Sequence, residues 1–167
     1  MSLEKNPTSG LTVELFGPTA EFITLPDDPK SDFCVMRGTI PPGMSVPLHS
    51  HPDTEDFFVI SGSVDGLRYD TETDDYTWLT MNPGDYVHVP GGARHAWRNV
   101  SDKPVVTLII TTKKMGRFFR EVGRPLTEEP QPPTQEELAH FAAVSDRYGY
   151  WNATPQENAA VGIDMSF

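Results

Sequence analysis

Two stretches of the chain place metal-ligating residue types at short, regular spacing. The first runs from Gly43 to Gly62 as GMSVPLHSHPDTEDFFVISG, a G-x5-H-x-H-x3-E-x6-G pattern. In extended backbone the side-chain period is two, so His49 and His51 share one face. The Pro52-Asp53 turn can then return Glu55 from the next strand toward the same point. The second stretch, Gly84 to Asn99, reads GDYVHVPGGARHAWRN, or G-x5-P-x-G-x2-H-x3-N, and presents His95 just after a tight glycine turn. Three neutral imidazoles and one carboxylate around a divalent ion leave a net charge of about +1. A centre of that kind that prefers five or six ligands keeps positions for water, dioxygen or a chelating substrate. The competing reading of the same four residues is a metal-free barrel holding solvated or paired polar groups.

Those residues need a scaffold, and the composition bounds it. The 167 residues suit one domain of ordinary size with a real core. At 37% hydrophobic and 10% aromatic, the chain is not wholly disordered. The longest apolar stretch, Val105 to Ile110, contains Thr107 and is far too short to span a membrane. The polar start MSLEKNPTSG does not read as a secretory signal. With one cysteine, Cys34, neither an internal disulfide nor a thiolate zinc cage can form. A net charge of −11 disfavours nucleic-acid and anionic-membrane partners, and a small-molecule substrate in a cytoplasmic setting is the expectation.

Prolines and glycines, 16 and 13 of them, punctuate short apolar runs, which suits many short strands. The pattern predicts strands at Phe33–Ile40, Glu55–Ile60, Thr77–Leu79, Tyr86–Val89, Ala96–Asn99 and Val105–Thr112, and hence a sandwich or barrel. The acidic run Asp70–Asp75 reads as a solvated hairpin loop. Two helices are expected afterwards. Met115, Phe118, Phe119 and Val122 make an apolar stripe stopped by Gly123 and Pro125. Thr134 and Glu137 make a capping box, with Gly149 at the far cap. Residues 124 to 133 read as an extended proline connector, and the tail after Asn152 as irregular.

Strand parity sorts the remaining candidates. Trp97 shares parity with His95 and reads equally as pocket lining or core; Tyr86 and Phe57 are further candidates for the pocket wall. Arg94 and Arg98 oppose His95 and fall on the outer face. His88 reads as a structural or surface residue and His140 as solvent-facing. The strand at Glu55 is apolar on both faces, with Phe58 and Ile60 opposite Phe57 and Val59, which suggests that a partner subunit covers its outer side.

Position for position, both stretches resemble the two motifs of the cupin family, including the glycines, the proline and the asparagine. The resemblance implies an all-β double-stranded β-helix, a jelly-roll barrel, over residues 1–112, with a helical C-terminal extension at 113–167 packing on the same domain. It implies one divalent transition metal (Fe, Mn, Ni, Co, Cu or Zn) on His49, His51, Glu55 and His95, and a homodimer. MGRFFREVGRP, the connector and the helix ending in RYG are similar, less specifically, to the tail of quercetin-dioxygenase-like cupins. That second resemblance implies a dioxygenase acting on a small aromatic or polyhydroxylated compound, with Glu55 both ligand and catalytic base. A non-oxidative isomerase or decarboxylase, and a non-catalytic ligand-binding cupin, are the alternatives.

Overall fold

A computed structural model describes residues 3–5, 7–129 and 131–165. Twelve strands are described: β1 (Thr12–Glu14), β2 (Thr19–Phe22), β3 (Phe33–Ile40), β4 (Ser45–Ser50), β5 (Glu55–Ser61), β6 (Val64–Asp70), β7 (Asp75–Met81), β8 (Tyr86–Val89), β9 (His95–Arg98), β10 (Val105–Thr112), β11 (Arg124–Pro125) and β12 (Trp151–Asn152). Three helices join them: α1 (Lys113–Val122), α2 (Gln135–Tyr148) and α3 (Pro155–Ala160). The strands form two antiparallel sheets, ordered β11-β1-β2-β3-β10-β5-β8 and β12-β4-β9-β6-β7. This is a jelly-roll barrel with its core between the two inner faces, where Met36, Phe57, Val59, Val64, Trp97 and Ile109 are buried together. Among the described residues, no helix is long and apolar enough to cross a membrane.

The acidic run forms the tip of the β6–β7 hairpin, as its composition suggested. Gly149 caps α2 in the left-handed region, and Thr134 and Glu137 make the capping box. The tail departs from expectation. It is not irregular after Asn152: α3 forms there behind a second capping box, Thr154 with Glu157, and Pro155 opens its first turn. Ile163 and Val161 then cover Leu48, Leu67 and Ala96 on the outer face of the five-stranded sheet. The proline connector also does more than span a gap, because Arg124–Pro125 pairs with β1.

One buried amide ties the barrel mouth together. Asn99 donates to the carbonyls of Ile40 (3.0 Å) and Lys103 (2.7 Å), and its Oδ1 accepts from the backbone and hydroxyl of Ser101. Its backbone N–H and C=O pair with Met44 and Gly43 at the entry to β4. Replacing it with leucine fills the volume and strips two carbonyls of their donor. Asn99→Leu is expected to lower stability by about 2–3 kcal/mol in denaturant titration; a change below about 0.5 kcal/mol would show that water takes over both bonds.

Candidate metal centre

β4 carries an irregularity that aims the first two histidines. Val46 pairs with Trp97 and His49 with His95, so β4 uses three steps where β9 uses two. That extra residue is a bulge, and it lets Val46 and His49 both face the interior while Leu48 turns outward into the tail cluster. β12 pairs with β4 at Ser50 and His49, so β4 is braced on both sides. The loops before His95 and after His51 are locked to each other. The Gly92 N–H donates to the His51 carbonyl at 2.6 Å. A Cβ on Gly91 would lie 2.3 Å from the Pro52 carbonyl oxygen, so only glycine lets the two loops approach this closely.

These constraints bring the expected residues together. The ring centroids of His49, His51 and His95 lie 4.3 to 5.5 Å apart, and one ring nitrogen from each lies within 4.8 Å of the others. Glu55 Oε2 stands 3.1 Å from His51 Nε2 and 3.5 Å from His95 Nε2. His51, Glu55 and His95 are buried, and His49 is in partial contact with solvent.

The tautomers follow from the neighbours. His49 Nδ1 lies 2.7 Å from the Pro47 carbonyl, His51 Nδ1 2.8 Å from that of Asp53, and His95 Nδ1 2.9 Å from that of Ala93. A carbonyl oxygen only accepts, so each Nδ1 carries its proton and donates. In the neutral rings every Nε2 is then a bare lone pair. His95 Nε2 is buried with no hydrogen-bond partner among the described residues. His51 Nε2 faces a carboxylate oxygen, an acceptor facing an acceptor, unless a cation or an added proton lies between them. Three such nitrogens beside a carboxylate are the donor set of a divalent transition metal, and the residues fit one.

Without an ion the pair leans on a proton. Burial opposes a charge on His51, but the hydrogen bond and charge of Glu55 outweigh it and raise its pKa above the ordinary value. Burial likewise opposes ionisation of Glu55, and the hydrogen bond with His51 and the nearby His95 ring overcome it, holding the carboxyl at about 2. Burial, then the charges of His95 and His51, push His49 down to about 3.

The wall residues divide. Phe57 and Trp97 are buried inside the barrel with their rings 4.6 Å apart, and Trp97 stands 6.4 Å from His95. Tyr86 does not line the pocket. It pairs with Phe58, an outward position of β5, is 63% exposed, and donates to Asp56 at 2.5 Å. His88 joins the same exposed carboxylate at 2.7 Å. Arg94 and Arg98 are outside, stacked on Trp151 and Trp78, and His140 is exposed. The sequence reading missed Tyr150, which is buried 5.5 Å from the His51 ring and donates to the Asp53 carboxylate at 2.6 Å. No spacing rule links residue 150 to residue 53, so the signal was absent from the sequence.

Comparison with known proteins fits this geometry. The family model described as Cupin_2, a cupin domain, matches residues 36–111. The chain carries a cupin domain. Over 71 residues it is 31% identical to dimethylsulfoniopropionate lyase DddQ of Ruegeria pomeroyi, covering 42% of this chain and 32% of that protein. A structure of oxalate decarboxylase from Bacillus subtilis superposes with a TM-score of 0.52 at 25% identity, covering 61% of this chain and 27% of that one. A second structure of that decarboxylase, which concerns its Mn(II) centres, is 24% identical, with a TM-score of 0.51 over 59% of this chain and 26% of that one. The matched part is thus about a third of the lyase and about a quarter of the decarboxylase.

The titrations set a pH test for the cupin site. In the metal-free protein, stability from charged His51 is present below its ordinary 6.5 and lost as pH rises through its raised value. Stability from ionised Glu55 is present above its ordinary 4.5 and lost as pH falls toward about 2. A metal needs His51 neutral, so the gain in melting temperature on adding Mn²⁺ is expected to be small at pH 5 and to grow by pH 8. A gain independent of pH would place the ion elsewhere.

Proposed function

We propose that this cupin is a metal-dependent enzyme that holds one divalent transition metal on His49, His51, Glu55 and His95 and acts on a small carboxylate by a non-oxidative cleavage of the lyase or decarboxylase type. The observation that carries it is the set of three imidazoles pinned through Nδ1, with their bare Nε2 atoms gathered around a buried carboxylate. When bound, such an ion supplies Lewis-acid polarisation of a coordinated substrate group.

The chain's own residues do the rest. The backbone carbonyls of Pro47, Asp53 and Ala93 fix the ring orientations. Phe57 and Trp97 fill the barrel beside the cluster and exclude water from that side. One cavity of about 440 Å³ lies under Val161 on the outer face of the five-stranded sheet, and one of about 380 Å³ beside Thr24 and Asp27. Glu55 is ionised throughout the ordinary pH range and can accept a proton at Oε2, but a carboxylate held this low is a weak base and serves a group already acidified. The lyase and decarboxylase relatives support the non-oxidative class. The dioxygenase reading stays as the second, supported by a ligand set that leaves coordination positions free.

Metal-loaded protein is expected to release dimethyl sulfide from dimethylsulfoniopropionate or carbon dioxide from oxalate without net oxygen uptake, and His51→Ala to lose at least about 100-fold of that activity along with the ion. Stoichiometric oxygen consumption with small chelating substrates would favour the dioxygenase reading; tight ligand binding without turnover would make the cupin a binding module. We also propose a homodimer, supported by the exposed apolar side chains of Phe58, Ile60 and Ile110 on the outer face of the seven-stranded sheet. Light scattering is expected to return twice the chain mass, and a monomer at micromolar concentration would contradict it.

A further inference from the structure

We infer that Asp53 and Tyr150 form a positioning pair for the metal centre, so that the C-terminal segment completes the site. The inference rests on the reading of the histidine cluster as a metal centre. Asp53 lies two residues after one ligand and two before another, in the loop between β4 and β5. Its backbone carbonyl accepts the Nδ1 proton of His51 at 2.8 Å and so sets which nitrogen of that ring faces Glu55. Its side chain is buried and gripped from outside the loop. Tyr150 donates to Oδ2 at 2.6 Å, Thr112 donates to Oδ1, and the ammonium of Lys114 stands 3.8 Å from Oδ2. The loop cannot turn at Asp53 without stripping a buried carboxylate of its donors, which is costly. One carboxylate therefore fixes both the orientation of His51 and the point from which β5 delivers Glu55.

Tyr150 is itself held on both sides. Before it, Gly149 ends α2 in the left-handed region, and the Tyr150 N–H donates to Ser145 at 2.9 Å. After it, Trp151 and Asn152 pair with Ser50 and His49. The ring packs against Phe118 at 4.6 Å and against His51 at 5.5 Å. Ring packing alone needs no hydroxyl, and phenylalanine would supply it. What the hydroxyl adds is its bond to the carboxylate of the residue whose carbonyl orients a ligand. Lys114, over the Tyr150 ring at 5.3 Å, adds a cation on the same side.

The test is Tyr150→Phe in the full chain, titrated with Mn²⁺ as the probe. Metal affinity is expected to fall by about 10-fold or more, with an altered electron paramagnetic resonance spectrum of bound Mn²⁺, whether or not the metal-free melting temperature falls as the buried carboxylate loses a donor. Asp53→Asn is expected to act in the same direction, and the double variant to lose less than the product of the two single losses, since both act through one carbonyl. Parental affinity and spectrum in Tyr150→Phe would overturn the inference. So would a lower metal-free melting temperature with affinity unmoved, the mark of a merely structural hydroxyl. Should Tyr150→Phe fail to fold, Asp53→Asn decides by the same readouts. A parent chain that binds no Mn²⁺, Co²⁺, Fe²⁺ or Zn²⁺ would instead overturn the metal-centre reading, so the two failures are distinguishable.

Discussion

In the neutral His51 ring, a bare imidazole nitrogen and a carboxylate oxygen, both acceptors, face each other at 3.1 Å inside this barrel. Water is largely excluded there, so their repulsion is poorly screened, and a positive charge between them is the arrangement that relieves it. A second bare nitrogen, that of His95, has no hydrogen-bond partner among the described residues. Native proteins rarely leave buried polar atoms in this condition without a function for them. The remainder of the site exists to maintain that confrontation: three carbonyls hold the ring protons outward, and two loops are locked together so that the rings cannot swing away.

The barrel supplies the rigidity. The bulge in β4 changes the strand's parity between Val46 and His49, so one strand contributes both to the apolar core and to the ligand set. The close approach of Gly91 to Pro52 brings ligands from the two motifs into contact range across the loops. Behind them, Phe57 and Trp97 occupy the barrel interior. The C-terminal residues are built into the same arrangement, through β12 beside β4, through Asn158, which accepts from the backbone of Leu48 at 2.9 Å, and through Tyr150.

Much of this was legible in the sequence because motif spacing encodes turns and strand parity together. His49, His51, Glu55 and His95 meet as the spacing implied, and the strands at residues 33–40, 86–89 and 105–112 fall where their composition put them. Illegible features were those decided by contacts between distant residues. Tyr86 looked like a pocket residue because aromatic character does not report which face of a short strand is inward; its pairing with Phe58 decides that it is not. Strands β1, β2, β11 and β12 are too short to show a period, and they form because partners lie alongside. The tail after Asn152 read as irregular, yet Pro155 there opens α3 because a capping threonine precedes it. Asp53 looked like a turn former, and its charge acquires a purpose only when Thr112 and Tyr150 arrive from elsewhere in the chain.

The fold alone does not choose a reaction, since one barrel can serve many chemistries. What this chain specifies is a buried cluster of three imidazoles and a carboxylate whose donors could hold a cation. The most direct test is X-ray absorption of the metal-loaded protein together with elemental analysis. The account predicts one divalent ion per chain, about three nitrogen donors and at least one oxygen, at about 2.0–2.2 Å for zinc, and loss of that signal in Glu55→Gln combined with His95→Ala. A chain that retains no ion after loading, or an ion whose shell is all oxygen and survives both substitutions, would contradict it.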